Sequence, residues 1–267
     1  HRRQGRLMPK PVTLITGASG GIGHALATAL VSRGAHLTVT GRRADVLTEL
    51  TDRVGGTAIA ADLSDRTALN RLLDDVGEVD VLVANAGIPA SGLLSDYSLD
   101  QIDRALDVNL RAPIVMAKVL GERMAARRSG HIVFMSSLSG KSASAHMALY
   151  NATKFGIRGF ALALREDLRP HGVGVSTIYP GPIRDAGMIA DTDVRLPRIG
   201  TRTAAAVAKA TLRAIDDNAA EVTVAPWALR ATTLLGSLAP SLTATVQRNT
   251  GGDRIIAELS AAQQNKR

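Results

Sequence analysis

The sequence predicts an α/β protein: a doubly wound, seven-stranded parallel sheet with helices on both faces. Three observations carry this reading. Short apolar runs alternate along the chain with segments of helical length and period. A glycine-rich turn separates the first apolar run from the first helical segment. Apolar residues make up 45% of the chain but aromatics only 3%, so the core must be built from Ala, Val, Leu and Ile. Such a core suits parallel strands buried on both faces.

Taken in order, strands are expected at 12–16, 36–40, 57–60, 79–84, 130–135, 173–178 and 221–224. Helices are expected at 21–33, 44–54, 65–75, 100–127, 146–169 and 203–217. Gly34, Gly77, Gly130 and the Pro170-His171-Gly172 run punctuate helix ends. No internal repeat or low-complexity linker divides the chain. Its 267 residues suit one domain over 8–267, since two α/β domains would be a tight fit. Residues 1–7, which precede Met8, read as an upstream tail.

Residues 225–267 read as a C-terminal extension packed on that domain. Within 225–247 the only charge is Arg230. Trp227, Ala231, Leu234, Leu235 and Leu238 fall at helical spacing until Pro240 interrupts. A core or oligomer-facing helix is the expectation, with a membrane-surface or substrate-lid helix as the alternative.

Net charge is +8 and the pI is near 10.4. Arg2, Arg3 and Arg6 supply part of this, and the other bases are scattered among acids. With no basic stripe and no interleaved aromatics, nucleic-acid binding is not expected. The chain has no cysteine, hence no disulfide and no thiolate metal site, which is compatible with a reducing cytoplasm. No stretch reaches about 18 uninterrupted apolar residues, and the N-terminus has no apolar signal core, so a cytoplasmic location is expected. His131 and His146 lack metal-ligand spacing to another His or carboxylate, and no metal site is expected.

The glycine-rich turn is Thr16-Gly17-Ala18-Ser19-Gly20-Gly21-Ile22-Gly23, directly after Val12-Thr13-Leu14-Ile15. A strand, a glycine turn and a helix form a dinucleotide-binding layout. Gly17 allows the tight turn, Gly21 lets backbone approach a pyrophosphate, and Gly23 lets helix and strand pack closely. The backbone N–H groups opening the helix then face the phosphates. The spacing is G-x-x-x-G-x-G rather than G-x-G-x-x-G.

Two further motifs follow. Asn85-Ala86-Gly87 ends the run from Val79 to Val83. Ser137 follows the strand Ile132-Val133-Phe134-Met135, and Tyr150-Asn151-Ala152-Thr153-Lys154 comes 13 positions later. Tyr150 and Lys154 are four apart on a helix and share a face. An unperturbed tyrosine, with a pKa near 10, is a poor base at neutral pH, and a nearby ammonium is expected to lower that value. Such a pair suits acid–base chemistry on a carbonyl or alcohol oxygen. Ser136 reads as a backbone-bonding turn residue.

These three motifs, in this order, resemble the short-chain dehydrogenase/reductase family over residues 12 to about 224. The resemblance implies a single Rossmann-type domain and a carbonyl/alcohol oxidoreductase. It implies that Ser137 bonds the substrate oxygen, that Tyr150 is the acid–base residue, and that Lys154 tunes Tyr150 and holds the nicotinamide ribose. Asn109 is implied to support a water linking Lys154 to solvent, or it is a surface Asn. The nucleotide would meet Gly17, Ser19, Gly20, Gly21, Ile22, Gly23, Asn85, Ala86, Gly87, Pro180, Gly181 and Ile183. Asp62, with Leu63 beside it, resembles the family's adenine-contacting aspartate, or is a helix N-terminal acid before Ser64-Asp65.

NAD-binding members usually carry an acid where Gly41 stands. Here Arg42 and Arg43 follow instead, which suits the 2′-phosphate of NADP. After Tyr179-Pro180-Gly181-Pro182-Ile183 the family usually places Thr or Ser where this chain has Asp185, leaving the nicotinamide contact there in doubt. The family also implies a homo-oligomer, tetramer or dimer, through helices 100–127 and 146–169. The loop Leu138–Met147, the segment Arg184–Arg202 and the tail should decide the substrate, and their Ala, Leu and Met content suggests a moderately apolar one. The alternative function is a dinucleotide-binding regulatory or scaffold protein without turnover.

Overall fold

Seven short apolar runs become one parallel sheet whose central strands are buried on both sides. In the computed structural model, residues 10–186 and 200–238 are described. The strands are β1 (Val12–Thr16), β2 (His36–Gly41), β3 (Thr57–Ala60), β4 (Val81–Ala84), β5 (Gly130–Met135), β6 (Val173–Pro180) and β7 (Glu221–Val224). Their order is β3-β2-β1-β4-β5-β6-β7, and every pairing is parallel. Strand order reverses beside β1, whose neighbours are β2 and β4, so the crevice at the carboxyl ends of β1 and β4 is where this topology binds ligands.

The helices are α1 (Gly21–Ser32), α2 (Ala44–Val54), α3 (Arg66–Asp75), α4 (Leu99–Leu106), α5 (Ala112–Arg127), α6 (Ala148–Leu168), α7 (Ala204–Asp216) and α8 (Trp227–Leu238). Adjacent strand residues feed opposite cores. Leu14, Leu82 and Ile132 pack with Leu72, Met116, Leu120 and Ile157 on one face. Ile15, Val83 and Val133 pack with Leu26, Leu47 and Val207 on the other. This period-two alternation explains why the strands read as continuous apolar runs.

Most expected boundaries stand within two residues. Asp65 and Thr203 prove to be N-caps, accepting from Thr67 and Ala68 and from Ala206 respectively. The helix expected at 100–127 is not uniform. Asp107–Arg111 forms a π-helical turn between α4 and α5, at the position of Asn109. A second correction concerns the tail. Trp227 is 81% exposed and Leu234 and Leu235 are each 61% exposed, so α8 is not a core helix. Sequence periodicity gave its apolar stripe correctly but could not say whether anything covers it. The readings on residues 1–8 and on 239–267, Pro240 included, lie outside the described residues. No described helix is long and apolar enough to cross a membrane.

Candidate active site

The site is built where β1, β4, β5 and β6 end. Gly17 has φ +65°, and a Cβ there would lie 2.7 Å from Ala86 Cα. Only glycine meets both demands. Asn85 locks this turn: its side-chain amide donates to the carbonyls of Thr16 (3.0 Å) and Gly17 (3.2 Å). The N–H groups of Asn85 and Ala86 donate to Thr16 Oγ1 at 3.1 and 3.0 Å. Thus Asn85-Ala86-Gly87 braces the glycine turn from the neighbouring strand. Gly23 packs as expected, since a Cβ there would sit 2.5 Å from Ala18 Cα.

A Cβ at Gly21 would meet Ala186 Cβ at 2.5 Å, so its smallness also admits the chain that follows β6. The amino end of α1 suits an anion. Gly20 caps it without a side chain, and its first turn holds no acid. Exposed Gly20 and Gly21, half-buried Ser19 and Ile22, and this uncapped end fit a dinucleotide pyrophosphate.

The adenosine side is framed by the ends of β2 and β3. A Cβ at Gly41 would come 3.0 Å from Ser19 Oγ, which leaves little room for an acid. Arg42 and Arg43 are both exposed, and the Arg43 guanidinium donates to the Ser19 carbonyl at 2.5 Å. Asp62 is not a helix cap. Its Oδ1 accepts from Ser64 N (3.0 Å) and Ser64 Oγ (2.7 Å), and its Oδ2 pairs with Arg104 at 3.2 Å. Burial pushes the Asp62 carboxyl up, but the Ser64 hydrogen bonds and the Arg104 and Arg42 guanidinia outweigh it and hold it below the usual range. Leu63 is buried beside it.

At the other end, Ser137 begins the short 3₁₀ turn Leu138–Gly140, and its Oγ accepts from Ser139 N at 3.2 Å. The same side chain lies beside the Tyr150 hydroxyl. Ser136 is turned away and donates to the Lys154 carbonyl at 3.2 Å, as expected of a backbone-bonding residue. Lys154 is buried, and its Nζ donates to the Met135 carbonyl at 3.1 Å. It lies 5.6 Å from the centre of the Tyr150 ring.

The expected lowering of the tyrosine is corrected. Burial pushes the Tyr150 hydroxyl up to about 12, against the pull of the Ser137 side chain. Burial also pushes the Lys154 ammonium down to about 8. Desolvation dominates at both groups, so Tyr150 keeps its proton at neutral pH.

Asn109 is not a surface residue. It is buried in the π turn, accepting from Ile88 N (2.8 Å) and donating to Ile88 O (2.9 Å). Two residues on, Ala90 O accepts from Tyr150 N at 3.1 Å. Asn109 therefore fixes the strand-end segment against which the tyrosine's own backbone is held.

Asp185 Oδ1 accepts from Ala204 N at 2.9 Å, tying the chain after β6 to the start of α7. Ile183 is buried and bridges Arg202, and Gly181 N donates to Val224 O at 3.0 Å, so Pro180-Gly181 is pinned to β7.

Asn151 was not singled out from sequence. Its amide donates to the Ser139 (2.6 Å) and Ser142 (3.1 Å) carbonyls and its Oδ1 accepts from Ser144 N (3.3 Å), holding the loop beside Tyr150. The available signal was an asparagine inside a helix, the same signal that marked Asn109. His131 is a buried core histidine whose Nε2 lies 2.8 Å from Ser176 Oγ.

Comparison with known proteins agrees with this geometry. The short chain dehydrogenase family profile matches residues 11–194. The chain belongs to the short-chain dehydrogenase/reductase family. One relative in this family of oxidoreductases is the ketoacyl reductase HetN of Nostoc sp., 36% identical over 221 residues, 79% of this chain and 77% of that one. A solved metagenomic short-chain oxidoreductase in complex with NADP is 33% identical, with a TM-score of 0.67 over 80% of this chain and 96% of that one. A short-chain dehydrogenase from Streptomyces avermitilis shares the fold, with a TM-score of 0.77 over 93% of this chain and 98% of that one at 24% identity. Membership accounts for the parallel seven-stranded sheet and for a site at its carboxyl edge.

Proposed function

We propose that the protein is an NADP(H)-dependent oxidoreductase interconverting a carbonyl and a secondary alcohol. The observation that carries this is the convergence of Ser137, Tyr150 and a buried Lys154 at the end of β5. The bound nicotinamide supplies or accepts the hydride. In reduction, Tyr150 gives its proton to the substrate oxygen and Ser137 Oγ donates a hydrogen bond to that oxygen as charge develops. Lys154 holds the nicotinamide ribose and steadies Tyr150 after proton loss. Asn109 acts as a positioning residue.

Arg42, exposed at the end of β2 where an acid is absent, supports NADP over NAD, as does the likeness to an oxidoreductase complexed with NADP. The likeness to a ketoacyl reductase supports a carbonyl substrate, and the Leu138–Met147 loop supports a moderately apolar one. We place the enzyme in the cytoplasm as one domain over 8–267 and as a homo-oligomer, tetramer or dimer. Partly exposed Phe155 and Leu162, seven apart on α6, support such an assembly. Asp185 was the one feature that favoured a regulator without turnover, and its bond to Ala204 gives it a structural task.

The test is loss of NADPH absorbance against a panel of ketones. Tyr150→Phe should cut turnover by on the order of 10²–10⁴-fold while NADPH still binds, because ring packing remains and only the proton is lost. Turnover within a few fold of the parent removes Tyr150 from its role.

A further inference from the structure

Glu221, at the start of β7, lies outside the residues so far assigned a part in the reaction. Three side chains converge on it. Arg158 Nε reaches Oε1 at 2.8 Å, Lys141 Nζ reaches Oε2 at 3.1 Å, and the Tyr179 hydroxyl donates to Oε1 at 2.5 Å. Lys141 Nζ also sits 4.1 Å over the Tyr179 ring and 3.4 Å from Thr223 Oγ1. Tyr179 is fully buried, and the Lys141 side chain is only 11% exposed. Two cations and one carboxylate withdrawn from water are costly, and apolar residues of similar size are often no less stable at such places. What this cluster has that an apolar one lacks is directional attachment.

Each arm leads to a different part of the site. Lys141 closes the turn that starts at Ser137, its N–H donating to the Leu138 carbonyl at 2.9 Å. Arg158 lies one helical turn beyond Lys154, on the same face of α6. Tyr179 directly precedes Pro180-Gly181. We infer that Glu221 is a positioning residue that ties the Ser137 turn, the Tyr150–Lys154 helix and the Pro180-Gly181 turn to the sheet edge, setting their mutual geometry. This rests on the proposed roles of Ser137, Tyr150 and Lys154. Misplacement by about 1 Å can cost on the order of 10²-fold in rate, so a hub of this kind acts on turnover more than on cofactor binding.

Three full-length variants test it: Glu221→Gln, Lys141→Met and the double variant. Glu221→Gln leaves Lys141 and Arg158 without their carboxylate. Its kcat per folded molecule should fall roughly 10- to 100-fold, with the NADPH Kd, read by nucleotide fluorescence, within about twofold of the parent. Adding Lys141→Met removes the surplus cation, so the double variant should recover part of the kcat lost in Glu221→Gln. A purely structural role would make the two losses add. Amide hydrogen exchange over Ser139–Ser144 should quicken by roughly tenfold in Glu221→Gln.

Lys141→Met keeps the Arg158–Glu221 pair. It supplies the same readouts if Glu221→Gln does not fold, with faster Ser139–Ser144 exchange and a smaller kcat loss expected. Unchanged exchange in these variants overturns the inference, as do additive losses or a kcat that follows only the folded fraction. Exchange needs no turnover, so a parent protein inactive on every ketone would sink the proposed function and leave the positioning inference to be decided by exchange.

Discussion

Arg42 and Arg43 are neighbours with opposite fates. Both are exposed, but Arg43 donates to the Ser19 carbonyl, bracing the glycine turn, while Arg42 stands at the end of β2. In the proposed function, discrimination of a 2′-phosphate is assigned to Arg42. A hydrogen bond to a charged group is worth about 1.5–3 kcal/mol. Arg42→Ala should weaken NADPH by roughly 10- to 150-fold and leave NADH nearly unchanged. The measurement is kcat/KM for both cofactors with one ketone, and an unmoved ratio would remove Arg42 from that role. Gly41→Asp should push preference toward NADH only after Ser19 Oγ shifts by a few tenths of an ångström, since a Cβ at Gly41 already approaches it to 3.0 Å. At the reacting end the same scale explains why Tyr150 and Lys154 depart from their solution behaviour in opposite directions. Both lose water, and water favours the charged form of each.

The element that matters most is the helix broken by a π turn. Between α4 and α5, Asp107–Arg111 adds a wide turn that carries Asn109, whose amide satisfies both polar groups of the Ile88 backbone. Asn109→Ala leaves a buried N–H and a buried C=O without partners, each worth about 1–3 kcal/mol. The variant should lose roughly 2–6 kcal/mol, which for a chain of this size lowers Tm by several degrees or more. Turnover should fall with it, because Ala90 O holds Tyr150 N only two residues further on. Thermal unfolding and kcat together check this. A Tm within a degree of the parent would return Asn109 to the status of an ordinary polar residue.

For the whole molecule, pH couples to stability through His131. Burial pushes its pKa from 6.5 down to about 4, aided by the nearby Arg165 charge. The unfolded chain then binds the proton more readily than the folded one. Stability is fully present above about pH 6.5 and is lost as pH falls toward 4, by on the order of 2–3 kcal/mol. Asp62 and Glu221, whose carboxyls are held low, add their losses only further into acid. Tm measured from pH 7 to 4.5 should fall in the parent. It should fall less steeply in His131→Leu, where Ser176 Oγ can still donate to the Ala214 carbonyl. Equal slopes would place the acid sensitivity elsewhere.

The sequence by itself determined the strand and helix order, because parallel strands buried on both faces leave long apolar runs that nothing else explains. It also marked Gly17, Gly23, Ser137, Tyr150 and Lys154, since a positive φ, a close packing contact and a Tyr–Lys pair at helical spacing each constrain residue type locally. Tertiary structure decided the rest. That Asn109 faces Ile88, that Asp62 pairs with Arg104, and that Asp185 holds Ala204 are contacts across many residues of sequence, and no period encodes them. That Gly21 must also leave room for Ala186, brought back by β6, is likewise invisible in the glycine spacing. The exposure of α8 and the direction of the Tyr150 shift depend on what surrounds them. Burial is a property of the assembled fold, and it is burial that decides whether an apolar stripe is covered and which form of a titratable group survives.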